Sequence, residues 1–128
     1  MALPKEKFEK IKSKIQKFID HEMVAHEHDL SFNHKFADHL SFLEEKRNMV
    51  RDMGLFAPQI PKEHGGLGLS LHQLGQIYEV LGKTFYGLYV FNCQAPDAGN
   101  MEILIEHGTD YQKETFLKPL VEGKVRSC

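Results

Sequence analysis

Apolar residues return at steps of three and four along most of this chain, and that spacing restricts the fold more than any other feature. Phe8, Ile11, Ile15, Phe18, Ile19 and Met23 form one stripe of a long amphipathic helix over residues 4–27, with Pro4 in its first turn. The lysines at 5, 7, 10, 12, 14 and 17 fall mostly on the opposite side, a solvated face in which Glu6, Glu9 and Asp20 interleave. Phe36, Leu40, Leu43 and Val50 mark a second helix over residues 34–53, after a break at 29–33 and before a left-handed cap at Gly54. Leu71, Leu74, Ile77, Tyr78 and Leu81 mark a third, ended by Gly82. Ser70 with Gln73 makes a capping box at its start, and Thr109 with Gln112 makes another before a last helix over residues 110–122. There Phe116, Leu117, Leu120 and Val121 are the apolar face, Pro119 shortens or kinks the helix, and Gly123 closes it. No alternating strand of useful length precedes residue 124. The expectation is an all-α fold of about six helices in antiparallel, bundle-like orthogonal packing, one domain over 1–128 with its core in about 4–123.

Residues 85–108 are the densest part of this pattern. Phe85 to Phe91 is almost wholly apolar, which predicts a helix buried on all sides. Pro96 disfavours helical geometry at Ala95, so a break is expected there, with Pro96 in the first turn of a helix carrying Met101, Leu104 and Ile105 up to Gly108. The small residues Ala95, Ala98 and Gly99 leave room for another group, as the wall of a pocket would. Asn92, Gln94, Asp97 and Asn100 cluster around the break. Either they cap broken helix ends or some of them line the polar part of a pocket.

The chain's 128 residues suit one domain, and its net charge of -2 offers no general attraction for nucleic acid. No apolar run approaches the roughly 20 residues that span a bilayer. The first residues lack the apolar core of a signal peptide, and no presequence is seen. With only Cys93 and Cys128, no disulfide framework is indicated, so a soluble protein in a reducing, intracellular setting is expected. That setting is the cytoplasm in a bacterium, and the mitochondrial matrix or peroxisome in a eukaryote.

Residues 55–69 hold Pro58, Pro61, Gly65, Gly66 and Gly68, and read as an ordered connection packed over the helices. The GGLG run lacks the Lys-Ser/Thr of a phosphate loop. Eight histidines invite a metal, but His21 and His26 are five apart, as are His34 and His39. Five helical residues turn through about 500°, so such rings point about 140° apart. Solvent-exposed histidines and no metal site are expected. Cys93 reads as a buried, inert thiol.

Three motifs carry a resemblance. From Met53 onward, MGLFAPQIPKEHGGLGLS, FNCQAPDAGNMEILIEHG and TDYQKETFLKPLVEGKVRSC resemble, in order and spacing, the N-terminal domain of flavin-dependent acyl-CoA dehydrogenases. The middle motif resembles a subgroup of larger members, some acting on long acyl chains. About the first 35 residues match only as a long helix. The resemblance implies α,β-dehydrogenation of acyl-CoA thioesters with FAD, and electron transfer to an electron-transferring flavoprotein. It implies a middle β domain and a C-terminal helical domain that supply the catalytic base and hold the flavin. Neither is expected within these residues, so the chain carries no catalytic residue and is not competent alone. A homo-oligomer is implied for the full-length protein. Carried over by position, the acyl-chain wall falls on Val90, Phe91, Asn92, Gln94, Ala95 and Gly99. Two other readings stand beside it: an independent helical interaction module without activity, and a His-rich metal-binding bundle.

Overall fold

The computed structural model describes residues 2–31 and 35–128, and every regular element among them is helical. Helix α1 (Lys5–Phe18) begins after Pro4, which is the capping residue rather than the first helical one. The path then loosens into a π turn (Ile19–Met23), tightens into a 3-10 turn (Val24–His26) and resumes as α2 (Glu27–Ser31). Phe8, Ile15, Phe18, Ile19 and Met23 of the expected stripe are buried, and Ile11 packs against them. The helix expected to end near Glu27 thus runs into the expected break. Leu30 is buried there, and the Glu27 carboxylate accepts from Thr84 Oγ1 (2.6 Å) and the Phe85 N–H (2.8 Å). These tertiary contacts hold the extra turn. Phe32 and Asn33 of the break, and His34 at the expected start of the second helix, lie outside the described residues.

Helix α3 (Phe36–Asp52) is capped by Met53, and Gly54 follows at φ 70°, the left-handed conformation expected of it. Its inner stripe differs from the expected one. Leu43 and Val50 are buried, but Phe36 and Leu40 stay largely exposed, and His39, Lys46 and Arg47 are buried instead. Both sets fit the 3.6-residue period, and the observed stripe is the expected one turned by about 30° around the helix axis. The histidines are therefore not all at the surface: His39 lies against Tyr86, with ring centroids 6.0 Å apart.

The connection from Leu55 to Leu69 contains one short 3-10 turn (Lys62–His64). Leu55, Phe56, Ala57, Pro58 and Ile60 are buried, and the Ala57 N–H donates to the Phe91 carbonyl (2.9 Å). Helix α4 (Leu71–Leu81) opens on the expected box, with Ser70 Oγ accepting from the Gln73 N–H (3.2 Å), and ends at Gly82. Leu71 leaves the expected apolar face and is 86% exposed. Gln73 is buried instead, accepting from the Leu3 N–H (3.0 Å) and donating to the Leu3 carbonyl (2.8 Å).

Helix α5 (Gly87–Val90) has only four residues, and it is not buried on all sides: Phe85 is 74% exposed and Leu88 also reaches solvent. A turn this short has too few neighbours to be wrapped completely. Its entry is fixed by Gly87, where an added Cβ would stand 2.1 Å from the Leu81 carbonyl oxygen. Helix α6 (Asp97–His107) follows Pro96 and stops at Gly108. The last run comprises α7 (Asp110–Gln112), a π turn (Lys113–Leu117) and α8 (Lys118–Val121). The π turn ends two residues before Pro119 and turns Phe116 outward, while Leu117, Leu120 and Val121 stay buried. Among the described residues the result is all-helical, with six helical bodies at residues 5–31, 36–52, 71–81, 87–90, 97–107 and 110–121. α1 packs on α4, α3 on α5, and α6 on the last run.

Candidate functional site

The joint between α5 and α6 gathers the residues singled out in the sequence. Val90 and Phe91 are fully buried within this chain's own core, where Phe91 meets Phe18 edge to face at 5.6 Å between centroids. Asn92 follows in a left-handed conformation, φ 58°, which its short polar side chain tolerates better than most. That side chain is buried and fully used. Nδ2 donates to the carbonyls of Leu120 (3.0 Å) and Val121 (3.1 Å), and Oδ1 accepts from Arg47 Nη2 (3.5 Å). Its backbone carbonyl accepts from Gln59 Nε2 (3.0 Å). The carbonyls of Leu120 and Val121 belong to the end of α8, where intrahelical partners run out. Asn92 thus ties three parts of the fold together.

Arg47 is the largest fully buried side chain, 1% exposed. Its Nη1 donates to the Tyr89 carbonyl, its Nε lies 3.3 Å from Glu44, and its guanidinium stacks over Tyr89 (4.5 Å) and Phe56 (5.0 Å). Burial pushes its pKa below the ordinary value, against the opposing pull of Tyr89 and Glu44. Sequence reasoning passed over Arg47, yet the signal was present: it stands four residues after Leu43, on the inner stripe of α3. Cys93 is buried, and burial pushes its thiol up to about 12, so almost none is thiolate at neutral pH.

Beyond Cys93 the chain comes to the surface. Gln94 is half-buried and donates from Nε2 to Asp97 Oδ2 (2.6 Å). Ala95 is exposed and joined to Pro96 by a cis peptide. Asp97 opens α6 and is wholly buried. Gly99 is exposed, and nothing lies within 4 Å of where its Cβ would stand. One turn further along the same outward side, Ile103 is 60% exposed. Of the six expected wall residues, Val90, Phe91 and Asn92 are therefore interior, while Gln94, Ala95 and Gly99 border solvent. Of the polar cluster, Asn92 and Asp97 secure chain ends, and Gln94 is half-buried beside Asp97.

A cleft of about 1210 Å³ lies elsewhere, among Glu44, Arg51, Lys113, Glu114, Lys118 and Glu122, and none of the six expected residues lines it. Phe56, Leu117 and Val121 share its lining with those charges. The glycine-rich loop does not fit a phosphate group. Its amides are spent internally, Gly65 donating to Lys62, Gly66 to Pro61 and Gly68 to Ile60. A Cβ on Gly66 would stand 1.9 Å from the Ile60 carbonyl oxygen, so that glycine serves close packing. Among the described residues no group of three or more His, Cys, Asp or Glu could hold a metal ion, and no helix is long and apolar enough to cross a membrane.

Comparison with known proteins bears on this surface. The model of the acyl-CoA dehydrogenase N-terminal domain matches residues 5–124. Acyl-CoA dehydrogenase family member 10 of Mus musculus is 35% identical over 127 residues, covering 93% of this chain and 12% of that protein. Acyl-CoA dehydrogenase family member 11 of Gallus gallus is 44% identical over 86 residues, covering 67% of this chain and 11% of that protein. A solved structure from Mycobacterium abscessus, described as an acyl-CoA dehydrogenase, superposes with a TM-score of 0.78 at 31% identity, covering 97% of this chain and 33% of that one. The chain thus spans about a tenth of the curated relatives' length and a third of the solved one.

Proposed function

Because the chain belongs to the acyl-CoA dehydrogenase family, as its N-terminal domain, we propose that it forms one wall of an acyl-chain pocket for the α,β-dehydrogenation of acyl-CoA thioesters. The observation that carries this reading is the outward side of α6. Gly99 adds no side chain there, and Ala95 and Ile103 are apolar and uncovered. Gln94, Ala95 and Gly99 meet the acyl chain, while Val90, Phe91 and Asn92 support them from behind.

The chemistry belongs to other parts of the family's architecture. A middle domain holds FAD, a C-terminal domain supplies the base, and an electron-transferring flavoprotein takes the electrons from a homo-oligomeric enzyme. The glycine-rich loop of this chain does not fit the flavin's diphosphate, since its amides are already bonded within the loop. This domain's contribution is binding and exclusion of water. Each methylene withdrawn from water onto such a wall contributes about 0.8 kcal/mol.

Substituting Gly99→Phe tests the assignment. A phenyl ring there fills space that is open in the fold and closes the pocket to long chains. In the full-length enzyme the expected outcome is weaker binding of sixteen-carbon acyl-CoA by several such increments, with four-carbon acyl-CoA little changed, read by calorimetric titration. An unaltered chain-length preference would place the pocket elsewhere.

A further inference from the structure

Asp97 has no exposure to solvent, and a carboxyl group withdrawn from water needs hydrogen-bond partners within the protein. It has four. Oδ1 accepts from the Ser127 N–H (2.7 Å) and from Ser127 Oγ (2.7 Å). Oδ2 accepts from Gln94 Nε2 (2.6 Å) and Arg126 Nε (3.4 Å). Ser127 Oγ in turn accepts from Asn100 Nδ2 (2.9 Å), which closes the cluster back onto α6.

The orientation of Gln94 follows from this chemistry. An ionised carboxylate only accepts, so the amide nitrogen of Gln94 must face Asp97 and the amide oxygen must point away. That oxygen, Oε1, is buried and takes no hydrogen bond among the described residues. Asp97 therefore decides which end of the Gln94 amide meets the carboxylate and which is turned away from it. The same carboxylate holds the backbone at Ser127, thirty residues along the chain.

We propose that Asp97 is a positioning residue, which fixes the orientation of the Gln94 amide at the α5–α6 joint and ties that orientation to the Arg126–Ser127 segment. The link to acyl-CoA rests on the reading of Gln94 as a wall residue. The orienting of Gln94 by Asp97 does not.

Asp97→Asn separates the two. Because the Ser127 N–H can only donate, the new amide keeps its oxygen on that side and turns its nitrogen toward Gln94. Two donors then meet, and the Gln94 amide must turn over. In this variant the Gln94 side-chain amide resonances are expected to move, while the Ser127 amide keeps its slow hydrogen exchange. In Asp97→Ala the Ser127 amide is expected to exchange faster by about tenfold or more. Asn100→Ala, which leaves the carboxylate in place, should leave the Gln94 resonances unmoved. Unshifted Gln94 resonances in Asp97→Asn would overturn the orienting role, whatever happens to melting temperature. Titration with sixteen-carbon acyl-CoA supplies the other arm: Gln94→Ala and Asp97→Asn should both weaken binding. If Gln94→Ala binds like the parent, the wall reading of Gln94 fails while the orienting role stands on the resonances.

Discussion

Asn92 combines two demands, a left-handed backbone and a side chain with both ends in use, and they can be measured apart. Asn92→Gly keeps the backbone free and loses the side-chain bonds to Leu120, Val121 and Arg47. Asn92→Ala loses the same bonds and adds the cost of a Cβ at φ 58°, which is about 1–2 kcal/mol. Both variants should be destabilised in urea melts, the alanine more than the glycine by about that amount. Equal losses would mean that the backbone relaxes out of the left-handed region. The cysteines supply a second residue-scale expectation. With its thiol pushed up to about 12, Cys93 carries almost no thiolate at pH 8, and it is also buried, whereas Cys128 is exposed. A thiol reagent at pH 8 should label one cysteine per folded chain and both in denaturant. Reaction of Cys93 in the folded chain would contradict its burial.

At the scale of elements, the π turn at Ile19–Met23 is where α1 is clamped to α3. Glu22 within that turn accepts from the buried Lys46 ammonium at 2.8 Å, and Lys46 also stands over the Phe42 ring at 4.9 Å. The hydrogen bond from Lys46 lowers the Glu22 pKa from its ordinary 4.5. A carboxyl whose folded-state pKa is depressed adds stability above its unfolded value and loses it as pH falls through the folded value. The stability difference between the parent and Glu22→Gln should therefore be largest near neutral pH. It should shrink below about pH 4.5 as the parent's advantage is titrated away. Urea melts across that range check it, and a constant difference would exclude an ionic origin. The pair is accompanied by helix-end bonds that propensity rules do capture, at Ser70–Gln73 and Thr109–Gln112.

At the scale of the whole molecule, the all-helical architecture was legible because each amphipathic segment repeats its apolar residues at helical spacing. The capping boxes and Gly54, Gly82, Gly108 and Gly123 placed most ends correctly for the same local reasons. What escaped the sequence was set by contacts between segments. The turn at Glu27–Ser31 is held by Thr84 and Phe85, and the burial of His39, Lys46 and Arg47 depends on Tyr86, Glu22 and Tyr89. The division among the expected wall residues was hidden too. Nothing in the local sequence says that Val90 to Asn92 turn inward while Gln94, Ala95 and Gly99 border solvent. Helix α6 then has two sides with separate duties. Asp97 and Met101 anchor it, while Gly99 and Ile103 touch no core. Replacing Gly99 by Ala would even favour the helix by about 0.5–1 kcal/mol. A lineage descending from this chain is thus free to try bulkier or smaller groups on the outer side while its foldability is left alone. The side that holds the scaffold and the side open to change share one eleven-residue helix.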